Sequence, residues 1–228
     1  MNLILDTETM TVNHDICDIA WAVVDRNKIV TVRNFIVKEH LSQMATGQFS
    51  APKMGLTMAE VANGNAEIAP WDYIMNELLA TIAVCNNVYA YNASFDRTAI
   101  IKTCKLLQSE FTAEVESPEV YDKWRCLWAW ATNTILFKKS YIDWCEVHGF
   151  VSDKGNTKTS AETAIRFIRN NPEYIEAHTA RADVLDEFEI YLTIKRAVKR
   201  EYSDAVPDPD SFKGTWHNVA RLKKAMSE

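Results

Sequence analysis

Three strand-like segments fill the first 37 residues, and they constrain the fold more than any other feature of the chain. The first begins at residue 3, the second spans residues 18–25 and the third spans residues 29–37. β-Branched and aromatic side chains are frequent in the second and third segments, as they are in strands. Arg26 and Asn27 predict a tight hairpin turn between these two segments. The sequence therefore predicts three consecutive antiparallel strands at the start of the chain.

Helical and strand-like patterns follow along the rest of the chain. Pro70 predicts the start of a helix, and a short apolar strand at residues 88–91 leads into a second helix that ends near residue 107. Two further helices are predicted at residues 160–170 and 181–200. Strands first, then helices around one more strand, predict an α/β fold in which a mixed sheet carries helices on both faces.

Two parts of the chain depart from this pattern. Residues 41–69 contain glycines and prolines that interrupt any long element, so we expect an irregular segment there. Two prolines shortly after residue 200 mark a second break. We therefore expect one domain over residues 1–200 and a C-terminal tail with a short helix over residues 201–228.

The overall charge restricts how the chain could bind nucleic acid. Lys and Arg number 25 against 31 Asp and Glu, which gives a net charge of −6. This balance argues against a protein that coats long stretches of DNA or RNA. An enzyme that grips a few terminal nucleotides remains compatible, because metal ions can neutralise the phosphates that side chains do not contact.

The cysteine pattern and the lack of long apolar runs indicate where the protein works. No two of the five cysteines lie within four residues of each other, so the paired spacing of a zinc site is absent. We expect free, mostly buried thiols in a reducing compartment. No segment is apolar over the length of a membrane span, and the N-terminus has no basic leader. We therefore expect a cytoplasmic protein without membrane contact.

Asp6 and Glu8 stand two residues apart at the end of the first apolar strand. A strand has a period of two, so both carboxylates point to the same face. Neighbouring carboxylates raise each other's pKa unless a cation joins them, and Mg²⁺ or Mn²⁺ prefers such an oxygen site. On this pair alone, a simple polar strand end is an equal alternative.

Two later carboxylates could join this pair. Asp96 follows a strand near the start of a helix, where an aspartate can also merely complement the helix dipole. His178 and Asp183 are five residues apart, which places them about 140° apart on a regular helix. They could aim at one point if His178 lies in the loop before the helix and Asp183 in its first turns. A structural role is the alternative for this histidine.

Together these residues resemble the three motifs of the DEDDh (DnaQ-like) family of 3′→5′ exonucleases. The motifs are Leu5-Asp6-Thr7-Glu8-Thr9, Tyr91-Asn92-Ala93-Ser94-Phe95-Asp96 and His178-x-Ala180-x-x-Asp183. They occur in the family's order, and the resemblance covers roughly residues 1–197. It implies a ribonuclease H-like fold with a five-stranded mixed sheet and helices on both faces.

The resemblance implies a metal-dependent reaction. Asp6, Glu8, Asp96 and Asp183 would bind two Mg²⁺ ions, for which Mn²⁺ would substitute, and Asp6 would bridge them. His178 would act as the general base that takes a proton from the attacking water. The products would be nucleoside 5′-monophosphates and a strand that is one nucleotide shorter.

The same motifs suggest contacts with the substrate. Thr7 and Thr9 would present backbone N–H groups to the terminal 3′-hydroxyl, and Met10 would wedge against the last base. Phe95 would pack near the terminal sugar, with burial under the helix as the alternative. Asn92 would bind a phosphate, with capping of the helix as the alternative. Many relatives have a glycine soon after the first motif, which this chain lacks, so the base contact is less well defined.

The substrate and partners are less constrained than the chemistry. Single-stranded DNA or RNA 3′ ends fit the motifs, and we favour DNA over RNA. An RNA-specific exoribonuclease of the same family is one alternative. A non-catalytic ribonuclease H-like module that binds nucleic acid or a protein is another, although all four carboxylates and the histidine are present. A homodimer and a polymerase or other replication or repair partner stay open.

Further acidic residues follow the third motif. Asp186, Glu187 and Glu189 continue the acidic run on the same helix. Glu187 lies one turn beyond Asp183 and could assist the site. We expect instead that all three form a solvated helix face.

Overall fold

A computed structural model describes residues 1–11, 14–49 and 51–201. The tail predicted over residues 201–228, with its short helix, lies outside the described residues apart from its first position. Within the described ranges, none of the helices is both long enough and apolar enough to cross a membrane.

Six strands form one mixed sheet, whereas the family resemblance predicted five. The strands are β1 (Asn2–Thr9), β2 (Ile16–Asp25), β3 (Lys28–Val37), β4 (Glu67–Ala69), β5 (Val88–Ala90) and β6 (Trp124–Cys126). Their order across the sheet is β4-β3-β2-β1-β5-β6. The antiparallel pairing of β1 with β2 and of β2 with β3 is confirmed, and β4, β5 and β6 add to the edges in parallel. The strand count implied by the resemblance is therefore wrong by one, and the sequence pattern predicted neither β4 nor β6, each of which has three residues.

The turn between β2 and β3 has the backbone that its sequence predicts. Arg26 and Asn27 have φ angles of 47° and 66°. Positive φ at both central residues belongs to the two-residue turn whose twist matches that of the flanking strands. Nine of the ten residues of β2 are buried, because both faces of the sheet are covered at this strand.

Helices occupy most of the chain after β3. They are α1 (Leu41–Gln43), α2 (Ala51–Ala62), α3 (Trp71–Val84), α4 (Ala93–Leu106), α5 (Thr112–Val115), α6 (Pro118–Tyr121), α7 (Leu127–Ala131), α8 (Lys139–Val147), α9 (Ala161–Ile168) and α10 (Ala180–Glu201). A 3₁₀ turn at Lys38–His40 and two π-helical turns at Met44–Gln48 and Thr132–Leu136 complete the helical segments. The helices predicted after Pro70 and over residues 160–170 and 181–200 are confirmed as α3, α9 and α10.

The segment over residues 41–69 is more regular than predicted. It contains the twelve-residue helix α2, and Gly55 lies inside that helix. A single glycine costs a helix interior about 1 kcal/mol relative to alanine, which the surrounding structure can override. The expectation of an irregular segment is therefore wrong for α2.

Two hydrophobic clusters cover opposite faces of the sheet. Leu5 of β1 belongs to the cluster that contains Trp71 and other residues of α3 and α4. Ile4 and Ala22 belong to the other cluster, which contains Tyr191 of α10 and residues of α7, α8 and α9. Helices on both faces are thus confirmed, as is the burial of all five cysteines as free thiols.

Candidate functional site

A cleft of about 220 Å³ opens at the carboxyl end of β1, beside the turn that leads from β5 into α4. The cleft is lined by Asp6, Thr7, Glu8, Tyr91, Asn92, Phe95, Asp96, Ala161, Glu176, His178, Asp183 and Glu187. The carboxyl ends of parallel strands are a common position for ligand sites in open α/β sheets. All five residues predicted to carry the chemistry, from three separate parts of the chain, lie in this one cleft.

Asp6 and Glu8 reach the cleft from the same face of β1. The alternation places them with Ile4, whose side chain packs in the cluster that contains α10. Burial raises the pKa of Asp6 well above its ordinary value, and the charges of Glu187, Asp96, Asp183 and Glu8 raise it further. These negative charges are therefore close enough to destabilise one another, as expected for a site that attracts cations.

Asp96 enters the cleft from the first turn of α4. Its carboxylate accepts a hydrogen bond of 2.8 Å from the Thr7 hydroxyl on the neighbouring strand. Burial raises the pKa of Asp96, and the hydrogen bonds from Thr7 act in the opposite direction. Asn92 precedes the helix, but its side chain makes no capping hydrogen bond to the helix in the described part of the chain. The capping alternative for Asn92 is wrong, and its side chain lines the cleft instead.

His178 and Asp183 approach the cleft from the start of α10. His178 lies before the helix with a φ of 55°, and Asp183 lies in the first helical turn. The predicted arrangement of a loop histidine and a helical aspartate is thus confirmed. The start of α10 is held by Asp18 of β2, whose carboxylate accepts a hydrogen bond of 3.2 Å from the backbone N–H of Ala180.

Three of the predicted residues are close enough to share an ion. One ligand atom from each of Glu8, His178 and Asp183 lies within 4.8 Å of the other two. Burial raises the pKa of Asp183, as do the nearby charges of Glu176 and Glu8. The Oδ1 atom of Asp183 is buried and finds no hydrogen-bond partner among the described residues. Such a buried, unsatisfied oxygen is costly unless a cation or another group binds it.

Glu187 also belongs to the cleft, contrary to the expectation that it lies on a solvated face. Its side chain is buried, and its Oε1 atom accepts a hydrogen bond of 3.0 Å from the backbone N–H of Tyr91. Asp186 is buried as well, with an ion pair of 2.8 Å to Arg169. Glu189 is partly exposed and pairs with the same arginine at 2.8 Å. The prediction is therefore wrong for Glu187 and Asp186.

Glu176 is a carboxylate of the cleft that the sequence does not predict. It lies in the loop before α10, and its Oε2 atom is 3.7 Å from Nδ1 of His178. Burial raises the pKa of Glu176 to about 7. Its position depends on how this loop folds back over the cleft, and a loop residue two positions before a motif carries no local signal of that contact.

Lys53 brings a positive charge to the carboxylates. It lies on α2, and its Nζ atom is 2.8 Å from Oε2 of Glu8. The same helix also carries Glu60, whose Oε2 atom is 3.8 Å from the guanidinium of Arg181 on α10. The segment predicted to be irregular therefore supplies a helix that contacts the two elements on either side of the cleft.

The predicted substrate contacts divide into two groups. Phe95 lies at the cleft with 40% of its surface exposed, and Thr7 is buried against Asp96. Thr9 ends β1 and is absent from the cleft lining within the described ranges. Met10 is only 1% exposed and packs in a separate cluster with Met44 and Phe49. The predicted contact between Met10 and the terminal base is wrong, because this apolar side chain is buried instead.

Comparison with known proteins gives few matches. No family model matches the sequence, and no curated protein sequence matches it. A solved structure of Exonuclease X in complex with 5′ overhanging duplex DNA is similar, with 18% sequence identity and a TM-score of 0.45. That similarity covers 86% of this chain and 92% of the other.

Proposed function

We propose that this chain is a metal-dependent 3′→5′ exonuclease that hydrolyses single-stranded nucleic acid, with DNA preferred over RNA, to nucleoside 5′-monophosphates. The observation that carries this proposal is the convergence of Asp6, Glu8, Asp96, Asp183 and His178 on one cleft. These residues belong to three sequence motifs that are far apart along the chain. The polarity of the reaction rests on the resemblance of those motifs, which do not themselves distinguish DNA from RNA.

The residues of the cleft fit divalent cations. Asp183 has a buried oxygen without a hydrogen-bond partner within the described residues, and the pKa values of Asp6, Asp96 and Asp183 are all raised. Carboxylate oxygens are the ligands that Mg²⁺ and Mn²⁺ prefer. Bound there, two such ions would stabilise the negative charge that develops on the scissile phosphate.

The chain's own groups have separate tasks in this proposal. His178 takes a proton from the attacking water, and the nearby carboxylate of Glu176 stabilises the imidazolium that forms. Thr7 orients Asp96 through its hydroxyl. Phe95 offers an exposed ring at the cleft, where it packs against the terminal sugar.

A cleavage assay tests the proposal. Single strands of DNA and RNA of the same sequence, labelled at the 3′ or the 5′ end, are incubated with Mg²⁺, Mn²⁺ or EDTA. We expect stepwise shortening from the 3′ end that requires metal, with faster cleavage of DNA. Asp183→Asn should lower the rate by more than about 100-fold, because loss of a metal ligand exceeds the 10–100-fold effect of losing an outer-shell partner.

A matched control separates chemistry from folding. Asp143→Asn removes an exposed carboxylate of α8 that pairs with Lys139, and it should cleave at the wild-type rate. Circular dichroism verifies that both variants fold. If the intact protein binds strands but cleaves neither DNA nor RNA, the exonuclease proposal fails and a non-catalytic binding module takes its place.

A further inference from the structure

Glu187 is a cleft carboxylate that the three motifs do not account for. Only 2% of its surface is exposed to solvent, and it lines the cleft together with Asp6 and Asp96. Its Oε1 atom is held by the backbone N–H of Tyr91. Its Oε2 atom is buried and has no hydrogen-bond partner in the part of the chain that the structure describes.

The position of Glu187 on its helix explains why it meets the site. It follows Asp183 by four residues on α10, so the two side chains lie on the same helix face, one turn apart. The hydrogen bond from Tyr91 fixes the carboxylate at the turn between β5 and α4, which carries Asp96. Glu187 is therefore oriented by one backbone N–H group and does not depend on a flexible side chain.

The surroundings of Glu187 give it no counterion in the described protein. The carboxylates that line the cleft with it are Asp6, Glu8, Asp96, Glu176 and Asp183. A cation bound in the cleft satisfies the Oε2 atom of Glu187, and it is the same kind of ligand that the neighbouring carboxylates require.

We propose that Glu187 is a fifth carboxylate ligand for the divalent ions of the cleft. This inference rests on the proposed function, because it assumes that Asp6, Glu8, Asp96 and Asp183 bind those ions. It adds a metal-binding residue outside the three motifs.

Metal binding to the Glu187→Gln variant tests the inference. Glutamine has nearly the same shape and keeps an oxygen that can accept the Tyr91 hydrogen bond, but it removes the charge. Titration calorimetry with Mn²⁺ should give an affinity more than about 100-fold weaker than that of the wild type, because loss of a ligand exceeds the 10–100-fold effect of losing an outer-shell partner. Thermal unfolding gives an independent reading. In EDTA the variant should unfold at a higher temperature than the wild type, because a buried repulsion is removed, and added Mn²⁺ should raise that temperature by less.

Two further variants complete the design. Glu189→Gln removes a partly exposed carboxylate from the same helix and should leave Mn²⁺ affinity unchanged. Glu187→Asp keeps the charge but retracts it by one methylene, so it should weaken Mn²⁺ binding without raising the unfolding temperature in EDTA. If the glutamine variant does not fold, the aspartate variant decides the question alone.

The outcomes for Glu187 and for the proposed function are distinguishable. Wild-type Mn²⁺ affinity in Glu187→Gln, or in Glu187→Asp when only that variant folds, would overturn the role of Glu187 and leave the exonuclease proposal intact. Failure of the wild-type protein itself to bind Mn²⁺ or Mg²⁺ would overturn both proposals.

Discussion

The ion pair between Lys53 and Glu8 predicts that the lysine competes with metal for the cleft. The Lys53 Nζ atom lies 2.8 Å from Oε2 of Glu8, one of the proposed metal ligands. A divalent ion that binds this oxygen must displace the ammonium group or share the carboxylate with it. Lys53→Met keeps an unbranched apolar side chain and removes the charge. We expect this variant to bind Mn²⁺ more tightly than the wild type.

The expected gain follows from the environment of the pair. The Lys53 side chain is 32% exposed and that of Glu8 is 13% exposed. An exposed ion pair contributes about 0–1 kcal/mol, and a hydrogen bond to a charged group about 1.5–3 kcal/mol. Because solvent partly screens this pair, we expect its loss to favour Mn²⁺ binding by about 1–2 kcal/mol of binding free energy. This corresponds to an affinity about 5–30-fold higher.

Titration calorimetry with Mn²⁺ at fixed pH and ionic strength measures this gain. Lys139→Met is the matched control, since Lys139 also pairs with a carboxylate, Asp143, at 2.6 Å, but on α8. The control should bind Mn²⁺ as the wild type does. Equal or weaker Mn²⁺ binding by Lys53→Met would refute the competition, because it would mean that the lysine does not occupy a position that the metal needs.

Two further predictions concern the histidine and the buried acids. His178→Asn should lower kcat by about 10²–10⁴-fold, because it removes the general base. The unfolding temperature in EDTA should stay unchanged, because the His178 side chain is 47% exposed. Cleavage at the wild-type rate would exclude this role for His178. Burial raises the pKa of Glu176 from 4.5 to about 7 and that of Asp18 from 3.8 to about 7. Since raised carboxyl pKa values favour folding only while the groups are protonated, the free energy of unfolding in EDTA should fall as the pH rises between about 4 and 7. Urea unfolding measures this fall, which Glu176→Gln should reduce; a wild-type profile that is flat over this range would contradict the argument.

The parts of the site that the sequence predicts are those with a local signal. The alternation of β1 places Asp6 and Glu8 on one face whatever the rest of the fold does. The pattern of α10 shows where the helix starts, which separates the loop residue His178 from the helical residue Asp183. Each of these predictions needs only the period of one element, and each agrees with the observed geometry.

The parts that the sequence does not predict depend on contacts between distant segments. Helical periodicity places Glu187 on the same helix face as Asp183, but it does not show whether that position faces solvent or the cleft. Glu187 could therefore not be assigned to the site from the sequence. Lys53 is 45 residues from Glu8, and its contact exists only because α2 packs near the end of β1. Met10 follows a motif that suggested a base contact, yet the fold buries its apolar side chain.

Helix α2 links the metal ligands to a part of the chain outside the motifs. It contacts Glu8 of β1 through Lys53, and Arg181 of α10 through Glu60. β1 and α10 are the elements that carry three of the four motif carboxylates. A metal ion that takes Lys53's place at Glu8 removes one of these two contacts, and so changes how α2 is held. We therefore expect metal occupancy and the position of α2 to be linked.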